Sequence, residues 1–222
     1  MSEAAGSPLL EIHDLSLHFG DRCLYKGLSL TLGQGEKIAI TGRSGSGKST
    51  LLKCILGFVI PSLGSISFQG TELDPRTVWP LRYSLGYVPQ EADLGDPTAG
   101  EFIRRPFQYK ANRGLVWEEE RLLELCAAFH LEHGLLSQAS RKLSGGEKQR
   151  VALIAALMLK RRLYLFDEIT SALDEDARAA VIGHLVKAEG FAAVIVSHDQ
   201  ELRAACDRVY RLDPKGSLRA FS

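Results

Sequence analysis

Short apolar runs broken by turn residues fill the first third of the chain: Leu9 to Leu17, Leu28 to Leu32, Lys37 to Thr41 and Ser65 to Phe68. Their lengths and the flanking glycines and prolines predict β-strands. The run through Ile38, Ala39 and Ile40 enters a glycine-rich loop, and Ser49 to Leu56 then reads as a helix stopped by Gly57. From about Pro97 to Lys142 the pattern is helical. There Glu118, Glu119 and Glu120 form a polar first turn, which suits the positive end of a helix dipole, ahead of Leu122, Leu123, Leu125 and Ala128. After Ser144 helices and strands alternate. A helix over Glu147 to Lys160 leads to a strand over Leu163 to Phe166, and one over Glu175 to Ala188 leads to Phe191 to Val196. Strands joined by crossover helices predict an α/β fold with a parallel sheet covered on both faces. The expected organisation is one domain over 1–222, with a helical insertion over about 91–142 set into a core over about 8–90 and 143–222.

Composition narrows the classes. The 222 residues are 45% hydrophobic and 24% charged, ordinary for a globular chain rather than a disordered or collagen-like one. Lys plus Arg and Asp plus Glu both total 27, so no basic excess is available to neutralise nucleic-acid phosphates, and no nucleic-acid partner is expected. The longest apolar run, Val151 to Leu159, is about half of the roughly 18 residues a membrane-spanning helix needs. The stretch Met1 to Pro8 lacks the basic and apolar blocks of a secretory signal. Cys23, Cys54, Cys126 and Cys206 are far apart and are expected to be reduced thiols of a cytosolic protein.

Chemistry concentrates in three segments. Gly42-Arg43-Ser44-Gly45-Ser46-Gly47-Lys48-Ser49, between a strand and a helix, has the spacing of a phosphate-binding loop. Its glycines let successive backbone N–H groups turn inward on phosphate oxygens, and the helix dipole adds to them. Lys48 would neutralise β- and γ-phosphate charge, and Ser49, followed by Thr50, would offer a hydroxyl to Mg²⁺. The second segment, Leu163 to Glu168, is an apolar strand ending in two carboxylates. Asp167 is expected to hold Mg²⁺, mostly through water, and Glu168 to polarise an attacking water. The third is Leu143-Ser144-Gly145-Gly146-Glu147-Lys148-Gln149-Arg150. Ser144 and Glu147 make a capping box, but capping does not need two glycines, each costing up to about 1 kcal/mol in a helix. Bare glycines at a helix start admit an anion. By contrast His130 and His133, without a nearby cysteine, read as a solvated helix end rather than a metal pair.

With Leu143 to Glu147 as its signature, the chain is similar to the ATP-binding-cassette (ABC) ATPases over nearly its whole length. The resemblance implies a RecA-like phosphate-loop NTPase core with a parallel sheet, a small N-terminal antiparallel β subdomain and an α-helical insertion. It implies that Ser144, Gly145 and Gly146 contact the γ-phosphate held by a second copy in a head-to-tail dimer. It assigns Gln90, in Tyr87-Val88-Pro89-Gln90, to a loop that senses Mg²⁺ and γ-phosphate. It assigns Ser171 to Asp174 to a loop crossing the dimer interface, His198 to a γ-phosphate switch, and Phe19 to stacking on adenine, where tyrosine is commoner. Ile169-Thr170 stands where most members carry proline, and the phrase Asp167 to Glu175 resembles the ATPase subunits of bacterial putative iron exporters.

The expected function is ATP binding and hydrolysis with Mg²⁺ between two copies, driving a separate transmembrane permease from the inner face of the cell membrane. Phe102 to Asn112, with Arg104, Arg105, Phe107 and Tyr109, is the expected permease contact. The alternative is a non-transport switch whose nucleotide-driven dimerisation acts on a cell-envelope or cytosolic partner. Genome-maintenance members need long coiled coils, and only 95 positions separate Lys48 from Leu143. Translation-factor members carry two cassettes per chain. A simple nucleotide kinase has no use for Ser144-Gly145-Gly146.

Overall fold

The strands β1 (Leu10–Phe19) and β2 (Arg22–Leu32) pair antiparallel, with Leu10 opposite Leu32 and Ile12 opposite Leu30. They belong to a computed structural model in which residues 7–20 and 22–221 are described; most of the stretch read for an export signal lies outside them. The chain then enters β3 (Lys37–Thr41), buried along its length, crosses the glycine-rich loop, and forms α1 (Lys48–Ile55). Gly57, at φ +67°, closes α1: its N–H reaches the Cys54 carbonyl and that of Phe58 the Lys53 carbonyl, the paired bonds of a left-handed helix stop.

Next come β4 (Leu63–Phe68), β5 (Thr71–Glu72), α2 (Val78–Arg82) and β6 (Leu85–Val88). The stretch expected to be helical holds only two α-helices, α3 (Ala99–Arg104) and α4 (Glu119–Ala128), with short 3₁₀ turns over 105–108, 110–112, 133–137 and 140–142. Pro106 cannot extend α3, since it has no N–H to donate. Thr98 and Glu101 open α3 with reciprocal capping bonds. His130, at φ +50°, and His133 are exposed beyond the end of α4.

The second half is regular: α5 (Gly145–Met158), β7 (Leu163–Asp167), α6 (Glu175–Lys187), β8 (Ala192–Val196), α7 (Gln200–Ala204), β9 (Arg208–Leu212) and β10 (Leu218–Ala220). One sheet has the order β2-β1-β4-β5 and is antiparallel. The other has the order β10-β9-β3-β8-β7-β6, parallel except for β10 at its edge.

Side-chain alternation in the parallel sheet divides the interior in two. Ile38, Ile40, Leu163, Leu165, Val194 and Val196 face one core shared with α1 and the antiparallel sheet. Tyr164, Phe166, Ala193 and Ile195 face the other, shared with α3, α4, α5 and α6. Residues 151–158 of α5 are buried on every side, which is why this helix is apolar all round. Among the described residues no helix is long and apolar enough to cross a membrane.

Candidate nucleotide site

Gly47 precedes α1 with φ +103° and offers no side-chain cap, so the first N–H groups of the helix are left for an external acceptor. A Cβ on Gly47 would come within 2.9 Å of both Leu24 Cγ and the Tyr25 hydroxyl, so the position is closed to other residues. The fully buried Tyr25 donates its hydroxyl to the Gly47 carbonyl, and Arg22 Nη2 donates to the Gly45 carbonyl at 2.8 Å. Lys48 is buried and folds back on its own loop, its Nζ donating to the carbonyls of Gly42 (2.9 Å) and Arg43 (3.3 Å). A phosphate would exchange these neutral acceptors for charged ones, which attract the ammonium more strongly.

The two carboxylates at the end of β7 live in opposite environments. Asp167 is 3% exposed, and its Oδ1 has no hydrogen-bond partner. Burial pushes its carboxyl above the ordinary value of 3.8, against the lowering effect of a hydrogen bond from the Ser49 side chain. Glu168 sits in the left-handed region at φ +47°, unusual for a residue with a Cβ. The turn is pinned: its N–H donates to the Val196 carbonyl, and its own carbonyl accepts from the N–H and hydroxyl of Ser171. This strained backbone sets the side chain between two other elements. Gln90 Nε2 donates to Glu168 Oε2 at 3.2 Å, and His198 Nε2 lies 3.6 Å from Oε1.

One cleft of about 490 Å³ gathers most of these groups. Its lining includes Phe19, Ser44, Gly45, Gly47, Lys48, Ser49, Thr50, Gln90 and Glu168. Phe19 ends β1 with 55% of its surface exposed, an apolar ring left in water at the mouth of a polar cleft. Asp167 lies beneath the lining, next to Ser49 and Lys48. Gly42, Arg43 and Ser46 shape the loop from behind, where Ser46 Oγ is buried without a partner. Ser49, Gln90 and Asp167 are hard oxygen donors of the kind that suit Mg²⁺, and Asp167 Oδ1 is a buried acceptor that the chain itself leaves unpartnered. Among the described residues no three His, Cys, Asp or Glu side chains converge on one point, so phosphate oxygens and waters would complete any such metal shell.

Ser144, Gly145, Gly146 and Asp174 are not part of this lining. Ser144 and Glu147 form the expected capping box at the start of α5, and Ser144 and Gly145 are exposed. The two glycines differ. A Cβ on Gly146 would stand 2.8 Å from the Ala172 carbonyl, so packing against the neighbouring loop already requires glycine there. A Cβ on Gly145 would meet only Ala172 Cβ at 3.9 Å, so nothing in the chain itself demands that glycine. The Asp174 side chain caps α6 by accepting from the Ala177 N–H at 2.9 Å.

A sequence profile of the ABC transporter family matches residues 25–171, which include the phosphate loop, Gln90, Ser144 to Glu147 and both carboxylates. This chain belongs to the ABC transporter family. The methionine import ATP-binding protein MetN of Brucella abortus (strain 2308) is 36% identical to it, over 95% of this chain and 58% of the MetN sequence. The chain therefore spans little more than half of that relative. The probable iron export ATP-binding protein FetA of Escherichia coli K12 is 32% identical, over 94% of this chain and 92% of its own. Among solved structures, the dimeric post-hydrolysis state of the ATP-binding cassette MJ0796 bound to ADP and Pi superposes with a TM-score of 0.84 at 28% identity, covering 96% of this chain and 98% of that one. A bacterial Atm1-family ABC exporter with ATP bound gives 0.83 at 26% identity, over 98% of this chain and 39% of that one.

Three further side chains support this site. Tyr25 and Arg22 brace the phosphate loop from β2. Gln149, buried inside α5, donates to the Pro89 carbonyl at 3.0 Å and so ties the helix that begins at Gly145 to the Gln90 loop. A glutamine beside the apolar run Val151 to Leu159 was the one visible sign of this link.

Proposed function

We propose that this ABC-family chain binds Mg·ATP between two copies of itself, head to tail, and hydrolyses it to drive a separate membrane permease. The observation that carries this reading is the division of the site. The cleft offers an aromatic platform, the phosphate loop, Gln90 and Glu168, whereas Ser144 and Gly145 stand exposed outside it, Ser144 engaged only in capping its own helix and Gly145 required by no contact inside the chain.

Phe19 stacks on adenine, while Lys48 and the loop amides hold the phosphates and stabilise charge on the transferred group. Ser49, Gln90 and Asp167 would hold Mg²⁺, which would supply neutralisation of phosphate charge. Glu168 orients and deprotonates the attacking water. Its hydrogen bond to Gln90 and its approach to His198 keep it in place until γ-phosphate competes for both partners. Ser144, Gly145 and Gly146 of one copy close the site of the other, with Asp174 at the crossing loop.

The core over about 8–90 and 143–222 and the insertion over about 91–142 would move relative to each other through the Gln90 loop. A groove of about 240 Å³ lies between that loop and α3, lined by Tyr87, Pro89, Leu94, Phe102, Pro106 and Ala155 among others, and we assign the permease contact to it. Of the residues expected there, Arg104 lies over the Trp117 ring (4.1 Å) and pairs with Glu119, and Phe107 packs edge-on against Trp117. Arg105 and Tyr109 remain exposed for a partner. Location at the inner membrane face follows from that contact. FetA is named for iron export; an iron-export role for this chain rests on that relative and on the phrase Asp167 to Glu175.

Ser144→Arg tests the division. ATP binding by the isolated chain should stay within about twofold, and turnover should fall by about 10²-fold or more, the scale of losing a group that contacts the transferred phosphoryl. Full turnover in a folded Ser144→Arg protein would mean that each copy works alone.

A further inference from the structure

A second cleft, of about 310 Å³, opens on the other flank of the phosphate loop, at the carboxyl ends of β3 and β9. Ligand sites in parallel sheets form at strand ends of this kind. Three guanidinium groups line it: Arg43 from the loop, Arg203 from α7 and Arg211 from β9, together with Thr41, His198 and Phe221. No carboxylate is in the lining. Among the described residues none of the three arginines has an acidic partner, although the whole chain is electrically neutral. The nearby acids are already committed. Asp199 lies 3.6 Å from Arg178 and caps α7 through the Leu202 N–H, and Asp213 pairs with Arg219 at 3.2 Å.

Two of the arginines are held in place without being neutralised. Arg203 Nε donates to the Asp199 carbonyl (3.2 Å) and Nη1 to Thr41 Oγ1 (3.3 Å), leaving Nη2 without a partner. Arg211 lies opposite Thr41 in the sheet, its guanidinium 6.0 Å from the Phe221 ring centre, so the edge of the group stays free for hydrogen bonds. Like charges gathered in one concavity repel and raise the local concentration of anions. Convergent guanidinium forks match the oxygens of a tetrahedral oxyanion.

We propose that this arginine cleft binds a phosphate-class oxyanion, free inorganic phosphate, separately from the nucleotide cleft. Occupancy there would touch Gly42 and Arg43 of the phosphate loop and His198 beside Glu168, so the anion would report directly to the nucleotide site.

The test uses the full chain saturated with Mg·AMP-PNP, which fills the phosphate loop, titrated with inorganic phosphate in a calorimeter at ionic strength held constant with chloride. The proposal predicts about one phosphate per chain. It predicts at least tenfold weaker binding in Arg203→Gln/Arg211→Gln, with AMP-PNP affinity within twofold of wild type. Arg211→Gln alone, at an exposed position outside the core, should weaken phosphate at least threefold, which keeps the test sound if the double variant folds poorly. Phosphate binding that disappears once AMP-PNP is present would assign the anion to the phosphate loop and overturn the proposal. Equal phosphate affinity in Arg211→Gln and wild type would overturn it too. Loss of AMP-PNP binding by the wild type would be a failure of the nucleotide site, visible before any phosphate is added.

Discussion

Replacing Asp167 by asparagine should make the nucleotide-free protein more stable while crippling its use of Mg·ATP. The carboxylate is buried with one oxygen unpartnered, and burial is the largest influence on its pKa. An unsatisfied buried polar group costs about 1–3 kcal/mol, and a charged one more. The Ser49 hydrogen bond and the positive charges of Lys48 and Lys53 offset part of this, so the expected gain from Asn is about 1–2 kcal/mol. For a chain of this size each kcal/mol moves Tm by about 2–4 °C, giving a rise of about 2–8 °C at pH 7. The pH dependence follows from the raised carboxyl pKa. The folded state keeps this proton to higher pH than the unfolded state, whose Asp titrates near 3.8, so the wild type loses stability as pH rises between the two values. The gap between variant and wild type should therefore be widest at neutral pH and close as pH falls toward 4. Thermal unfolding without nucleotide, from pH 4 to pH 8, measures it. Adding Mg·ATP at 100 times its Kd should stabilise the wild type by about 2.7 kcal/mol and the variant by far less. A variant less stable than wild type at pH 7, or a gap that ignores pH, would refute the argument that this acid is held at the expense of stability.

Two further substitutions probe other parts of the site. Phe19→Ala should weaken ATP binding by about 1–3 kcal/mol, the worth of an aromatic stacked on a base, while Phe19→Tyr is nearly silent; unchanged affinity in equilibrium titration would remove Phe19 from the adenine site. Gly146→Ala should destabilise the free protein by about 1–3 kcal/mol through its approach to the Ala172 carbonyl, whereas Gly145→Ala should change the free protein little; equal Tm losses in the two variants would contradict the division of roles between these glycines.

Much of this was legible because the relevant signals are local. The β3 strand, the glycine-rich loop and α1 follow one another within about twenty residues, and strand period, glycine spacing and helix stop all agree there. The two carboxylates after the apolar run of β7 were visible in the sequence, but the left-handed turn at Glu168 that sets their side chains apart was not. The C-terminal strands β9 and β10 were not anticipated, because Arg208 to Leu212 is a mixed polar and apolar run whose pairing partner β3 lies far back in the chain. The broken helices between 105 and 142 reflect Pro106 and local 3₁₀ turns, which a window over apolar spacing averages away. That Gly146 also packs its bare Cα against the Ala172 carbonyl was not legible, because the contact joins two separate segments. Tyr25, Arg22 and Gln149 are long-range supports, and no spacing in the sequence announces a contact made across the fold.

The claim on which the rest depends is that ATP is held between two copies. Glu168→Gln keeps the side chain's size and removes its basicity, so Mg·ATP should bind while turnover falls about 10²–10⁴-fold, the usual contribution of a general base. Unhydrolysed ATP, bound by both copies, should then hold them together. Size-exclusion chromatography with light scattering should show the variant moving from its 24.4 kDa chain mass to twice that mass with Mg·ATP, remaining single with Mg·ADP, and remaining single with Mg·ATP when Lys48→Ala is added. A Glu168→Gln chain that is saturated with Mg·ATP yet keeps the single-chain mass at every accessible protein concentration would contradict the account.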